Sequence, residues 1–275
     1  NHHPMRIIIS PAKTMNAGAS GLAAKGLPAC KGIPTLIEKS KIILETLRTM
    51  SLEECKELWG CNQKLAELNY QRLDEINLYG ITEAYLVKTV PALFAYEGIQ
   101  YRYMASKMME GGDYDYLQEN LRILSGFYGC LRPLDGIFPY RLEMESPLCV
   151  QGAQNLYDFW GRSIYEQVMD ESRVVVNLAS KEYSKVVSQY LQPEDRFVTV
   201  VFGELVANKM GKNAGEKSEQ KIVQKGTFAK MARGEMVHYL VQKKASKPED
   251  MQGFKGQGFA FCEERSTESE YVFLK

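Results

Sequence analysis

Histidine is nearly missing from this chain. Of three in 275 residues, His2 and His3 fall in a short leader, Asn1 to Pro4, that reads as a tag remnant before a native Met5. That leaves His238, so histidine metal sites and Ser-His or Cys-His nucleophilic machinery have almost no material to draw on. The six cysteines, Cys30, Cys55, Cys61, Cys130, Cys149 and Cys262, include no C-x-x-C pair. They read as reduced, structural thiols of a cytoplasmic protein rather than a disulfide framework. No apolar run approaches the about 18 residues needed to cross a bilayer, and no signal peptide is read at the N-terminus, so no membrane partner is expected. A formal net charge of +0 argues against a generally cationic coat for nucleic acid.

What is present is ordinary in bulk: 45% hydrophobic and 25% charged residues, in a chain long enough for a sizeable core. The charge balance is local. Lys209, Lys212, Lys217, Lys221, Lys225, Lys230, Arg233, Lys243, Lys244 and Lys247 stand against Glu216, Glu219 and Glu235. Further on the sign reverses, so a neutral chain can still present one basic face.

The most unusual stretch is RILSGFYGCLRPLDGIFPYRLEME, Arg122 to Glu145. Gly126, Gly129, Pro133, Gly136 and Pro139 impose a fixed, non-repetitive backbone path among apolar and aromatic residues. Arg132, Asp135, Arg141, Glu143 and Glu145 lie on that path. Two readings are open: a site, or a buried turn whose ion pairs satisfy each other.

Met5 to Ser10, MRIIIS, reads as a buried strand ended by Pro11, with Lys13 and Thr14 just past its carboxyl end, where ligands of α/β sheets gather. Ala17 to Gly32 reads as a mobile Gly/Ala-rich loop and candidate lid, and Asn208 to Gly215 as a polar hairpin tip. Pro34 to Met50 forms a helix. Ser51 opens a capping box with Glu54, Gly60 stops the short helix that follows, and Asn62 caps the next, with Leu65, Leu68, Leu73 and Ile76 inward. Lys56 and Lys64 flank this hairpin, which reads either as plain helix packing or as a helix-hairpin-helix phosphate contact over about 52–76.

Downstream, ALFAYEG reads as a strand, Asp113 as part of an acidic loop, and Tyr114 to Leu124 as a helix. NLYDFWGRSIYEQVM reads as one amphipathic helix with a core-facing aromatic stripe. RVVVNLAS and RFVTVVFGELV are strands on either side of a helix over Lys181 to Leu191. Thr227 to Lys244 is a helix interrupted by Gly234, a residue that costs about 1 kcal/mol against Ala there and so hints at close packing. GFAFCEE and EYVFLK close the chain as antiparallel strands. With no βαβ repeat read, the expected fold from residue 5 to 275 is a single α+β domain built on a mixed β-sheet flanked by helices.

IIISPAKTM, NLRILSGFYGCLRPLD, PYRLEM, LYDFWG, the NLAS-EY block at Asn177 to Tyr183, and AKMARG stand in an order that resembles the YaaA family of bacterial peroxide-stress proteins. The resemblance runs nearly from Met5 to Lys275. It implies a cytoplasmic protein that lowers free iron during hydrogen peroxide stress. It further implies an α+β fold with a helix-hairpin-helix element beside a positively charged cleft, and binding to duplex or distorted DNA. Relatives linked to glycosyl transfer onto purine-like bases imply an enzymatic alternative. This chain departs from the family pattern at Gly98 to Tyr101, at Glu145 and at Lys181.

Three functions follow as expectations. In the first, Lys13, Lys64, Arg132, Arg141, Lys181, Lys185, Lys230 and Arg233 line one cleft and neutralise DNA phosphates without reading sequence. In the second, the same cleft is an enzyme site for a nucleotide or nucleobase. Lys13, Arg132 and Arg141 would hold phosphate, and Asp135 or Glu143 would do acid/base work. The third is direct iron sequestration by Asp135, Glu143 and Glu145, a poor donor set for iron. No cofactor and no resident metal are expected.

Overall fold

Ile7, Ile8 and Ile9 offer no polar alternation, so a strand made of them must be covered on both faces. In the computed structural model, which describes residues 5–16, 22, 25–207 and 220–275, they form β1 (Arg6–Ile9) at 0% exposure in the middle of the main sheet. The chain continues through β2 (Thr14–Met15), α1 (Ile37–Arg48), α2 (Leu52–Trp59), α3 (Gln63–Glu75) and α4 (Thr82–Lys88). Then come β3 (Val90–Pro91), α5 (Ala92–Ala95), β4 (Tyr96–Glu97), α6 (Ile99–Met104) and α7 (Gly111–Asn120). The Gly/Pro-rich stretch contributes β5 (Leu121–Ser125), β6 (Gly129–Leu131) and β7 (Gly136–Ile137). After it follow α8 (Leu156–Trp160), α9 (Ser163–Val168), β8 (Val174–Asn177), α10 (Lys181–Ser188) and β9 (Arg196–Ala207). β10 (Gln220–Val223), α11 (Gly226–Lys243), β11 (Ala260–Phe261) and β12 (Glu270–Leu274) complete the described chain.

The result is the expected mixed sheet flanked by helices. Its strands run in the order β11-β12-β9-β8-β1-β5-β6, with β10 paired to β9 off that path. β1 is parallel to both neighbours, Ile7 lying opposite Leu121 of β5 and Val176 of β8. β8, β9 and β12 continue the parallel set, while β5–β6 and β11–β12 are antiparallel. The pairing β8–β9 with α10 between them is a βαβ unit, which the sequence reading did not find.

Several local expectations hold. Ser51 and Glu54 make the reciprocal capping box, Gly60 ends α2 at φ 58°, and the Asn62 side chain accepts the Leu65 N–H at 2.9 Å. Others change. ALFAYEG is one helical turn and a two-residue strand, because the Ala92 and Leu93 N–H groups donate to the Asp135 and Pro133 carbonyls. The helix expected over Tyr114 to Leu124 starts at a Glu110/Asp113 capping box and stops at Asn120. Leu121–Ser125 is then fully buried and pairs with β1, so sheet pairing overrides local propensity. Gly161, at φ 50° and ψ −132°, breaks the aromatic helix into α8 and α9. Leu65 and Leu68 are 38% and 45% exposed, and α3 buries Ala66, Asn69 and Leu73 instead. Most of the loop expected over 17–32 up to position 24, and the hairpin tip at Asn208 to Gly215, lie outside the described residues.

Candidate functional site

Pro11 ends β1 and turns the chain outward across the carboxyl edge of the sheet. There the ends of β1 and β8 are joined. The Ser10 hydroxyl accepts the Ser180 N–H at 2.9 Å and donates to the Ser180 hydroxyl at 3.2 Å. The Ser10 carbonyl accepts the Tyr101 hydroxyl at 2.8 Å and the Gln100 amide at 3.3 Å. From this point the chain after β1 reaches β5 on one side, while the chain after β8 reaches β9 on the other. Such a switch between parallel neighbours leaves a crevice outside the strand ends. A cavity of about 560 Å³ occupies it, within the range of small-ligand sites.

Two glycines bring the walls together. A Cβ on Gly126 would stand 2.9 Å from the Leu142 carbonyl, so only glycine lets the segment carrying Tyr140, Arg141 and Glu143 pass so near β5. A Cβ on Gly234 would stand 2.0 Å from the Gln100 carbonyl. That contact presses α11 onto α6 and sets Lys230 and Arg233 over the floor made by Gly98 to Tyr101. The close packing read from Gly234 is therefore real, and it shapes the cavity.

Lys13, Arg141, Lys230 and Arg233 line this space together with Glu97, Glu143 and Glu182. Lys13 pairs with Glu143 at 3.1 Å. Neither arginine has a carboxylate partner among the described residues, and the Nε atoms of Arg141 and Arg233 are buried without a hydrogen-bond acceptor. Burial alone lowers the Arg233 pKa from its ordinary value. Burial also raises Glu182, helped by Glu143 and Glu145 and opposed by the Glu145 N–H and by Lys13. Tyr140 donates or accepts with Tyr96 at 2.7 Å and Ser125 at 2.6 Å, and burial pushes its hydroxyl up to about 12. Two guanidinium groups, each with an unsatisfied Nε donor in the lining of a partly enclosed space, are equipped to receive an anion.

The structure divides the residues singled out in the sequence. Lys13, Arg141, Lys230, Arg233 and Glu143 come together in the cavity. Arg132 does not. Its Nε donates to the buried Asp135 at 2.8 Å and its Nη2 to the Ile33 carbonyl at 2.9 Å, so this pair fastens the 32–34 segment to the turn before β7. Lys181 and Lys185 are exposed on α10, where Lys185 stands 4.5 Å over the Tyr157 ring. Lys64 is exposed on the first turn of α3, outside the cavity lining. Sequence reasoning passed over Glu182, whose signal was its place on the first turn of a helix following a buried strand. Among the described residues no three His, Cys, Asp or Glu side chains gather to hold a metal ion. No described helix is long and apolar enough to cross a membrane.

Comparison with known proteins agrees with the resemblance carried by the motifs. The family described as peroxide stress protein YaaA matches residues 5–265. A UPF0246 protein of Agathobacter rectalis is 42% identical over 269 residues, covering 98% of this chain and 98% of the relative. Another from Lachnoclostridium phytofermentans is 42% identical over 271 residues, covering 98% and 96%. A third, from Limosilactobacillus reuteri, is 42% identical over 270 residues, covering 98% of each. The chain belongs to the YaaA family of peroxide stress proteins.

Proposed function

We propose that this protein serves in peroxide stress by binding a phosphate-bearing, nucleotide-sized ligand in the cavity at the ends of β1 and β8. The observation that carries this reading is the presence of Arg141 and Arg233, each with a buried and unpartnered Nε, in the lining of one partly enclosed space. Leaving such donors unsatisfied costs about 1–3 kcal/mol apiece, a cost that an anionic ligand offsets. Lys13 and Lys230 add positive charge, and Glu143, held by Lys13, lines the same space. Calorimetric titration with nucleoside 5′-monophosphates and the matching nucleosides tests it. The phosphorylated compounds should bind at least about tenfold tighter, a difference of about 1.4 kcal/mol. Arg141→Ala or Arg233→Ala should remove that advantage. Equal affinity for nucleoside and nucleotide would defeat the reading.

A second reading is DNA binding at the same place. Lys13 is 68% exposed in its side chain, exposed Lys230 shares the cavity lining with it, and Lys181 is exposed on α10. These side chains would neutralise backbone phosphates, with Lys64 and Lys185 further out and the α2–α3 hairpin as a candidate helix-hairpin-helix contact. Affinity for duplex must then fall steeply with salt. A binding constant that stays flat from low to moderate salt would sink it. Direct iron binding has less behind it, because Asp135 is committed to Arg132 and Glu143 to Lys13.

A further inference from the structure

The loop bearing Glu143 and Glu145 passes the first turn of α10, where the charges of both act on Glu182. Glu182 lines the cavity half-buried. One of its carboxylate oxygens accepts the Glu145 N–H at 3.1 Å, and its backbone carbonyl accepts the Tyr157 hydroxyl at 2.6 Å. The group is thus held in place at both ends. Lys13, the cation whose field reaches it, is engaged by Glu143 at 3.1 Å. The other charged groups facing this space are Arg141 on the loop, Glu97 on β4, and Lys230 and Arg233 on α11. Tyr140 and Tyr183, also in the lining, are kept neutral by burial.

Among the described residues neither Glu97 nor Glu182 has an ion-pair partner in this lining, and Glu97 is exposed, so Glu182 is the half-buried cavity carboxylate with no cation of its own. Its position on the first turn of α10 favours the charged form. Burial, Glu143 and Glu145 act against that, and the balance raises the carboxyl above its ordinary range. A dianion drawn in by Arg141 and Arg233 would add a further like charge beside this half-buried carboxyl. Two like charges so placed do not both stay ionised. A protonated carboxyl, unlike a carboxylate, can donate a hydrogen bond to the arriving oxygen.

We propose that Glu182 is the proton-carrying group of this site: entry of a dianionic ligand is accompanied by uptake of one proton onto the Glu182 carboxyl, which then donates to the ligand. This deepens the reading of the cavity as an anion site and rests on it. Lys13 and Glu143 remain an ion pair throughout, so the two carboxylates play different parts.

Inorganic sulfate is the suitable probe, because it keeps its charge across pH 5–8, where phosphate esters titrate. Calorimetry in two buffers with different heats of ionisation reads the proton directly. Sulfate affinity should fall by about tenfold per pH unit on the alkaline side, as uptake of one proton requires, and the heat should depend on the buffer. In Glu182→Gln, which cannot ionise but can still donate, affinity should be the same at pH 6 and pH 8 and the heat independent of buffer. A wild-type affinity that does not change with pH would overturn the proposal. So would a pH dependence that survives in Glu182→Gln, since it would belong to another group, such as Asp135. If sulfate binds but brings no proton, only the role of Glu182 fails. If sulfate binds at no pH, the anion site fails and this role goes with it. The thermal midpoint of Glu182→Gln, measured alongside, separates loss of the proton from loss of the fold.

Discussion

Asp135 has no exposed side-chain surface, yet it carries an ionisable carboxyl. Arg132 supplies two hydrogen bonds to it, from its backbone N–H and from Nε, both at 2.8 Å. Burial outweighs their attraction and pushes the carboxyl up to about 6 from an ordinary 3.8. Between those values the folded chain holds a proton that the unfolded chain has released. The stability this group contributes is therefore present at the acidic end and lost as pH rises through about 6. Asp135→Asn keeps the shape and cannot titrate. Each tenfold difference in proton affinity between the folded and unfolded chain is worth about 1.4 kcal/mol. Denaturant unfolding of both proteins should therefore show the wild type losing on the order of 3 kcal/mol relative to Asp135→Asn between about pH 4 and pH 7. A constant gap would mean that Arg132 offsets the whole burial cost. Either way the pair is an internal fastening. The Arg122 to Glu145 stretch thus divides between the two sequence readings: Arg132 and Asp135 form a self-satisfied buried turn, and the segment from Tyr140 to Glu143 lines the cavity.

Among the elements, the α6–α11 contact shows how one residue decides where a helix lies. Replacing a mid-helix glycine by alanine ordinarily gains about 1 kcal/mol. At Gly234 the added Cβ would stand 2.0 Å from a backbone carbonyl, and overpacking of that kind costs about 1–3 kcal/mol or more. The steric effect wins. Gly234→Ala should lower the thermal midpoint and weaken binding of anionic ligands, as α11 moves away and takes Arg233 and Lys230 with it. Gly112→Ala in α7, where the Cβ meets open space, should leave the midpoint unchanged or raise it. A higher midpoint in Gly234→Ala would refute the close approach.

Signals of this sort were legible in the sequence because they are local: the Ser51–Glu54 box, the Asn62 cap and the Gly234 interruption each span a turn. Short apolar runs were not. Ala92–Ala95 and Leu121–Ser125 are both short and fully buried, yet the first coils against the Asp135 loop and the second pairs with β1. That choice is made by partners far away in the sequence. The same limit applied to the charges. Lys13 could be placed by the strand end it follows, whereas the assignment of Arg132 to Asp135 rather than to the cavity depended on where segment 32–34 lies.

For the molecule as a whole, the cavity draws on segments around residues 10–14, 97–101, 140–143, 180–183 and 230–233, so it exists only when the chain is folded. Ligand binding and folding are then linked, and a ligand at 100 times its dissociation constant adds about 2.7 kcal/mol to stability. The empty protein bears the opposite effect. Arg233 keeps its Nε buried without an acceptor, and burial disfavours its charge. Functional sites commonly hold such destabilising groups, and replacing them tends to raise stability while removing activity. Arg233→Met fills similar volume without the unsatisfied donor. It should raise the thermal midpoint of the unliganded protein by about 2–4 °C per kcal/mol recovered. The same variant should lose the midpoint increase that nucleoside monophosphate or sulfate gives the wild type. A surface arginine would give neither change. A purely structural arginine would lower the midpoint when replaced. Only a residue held unsatisfied in readiness for an anion yields a more stable protein that its ligand no longer stabilises, and differential scanning calorimetry with and without ligand distinguishes the three.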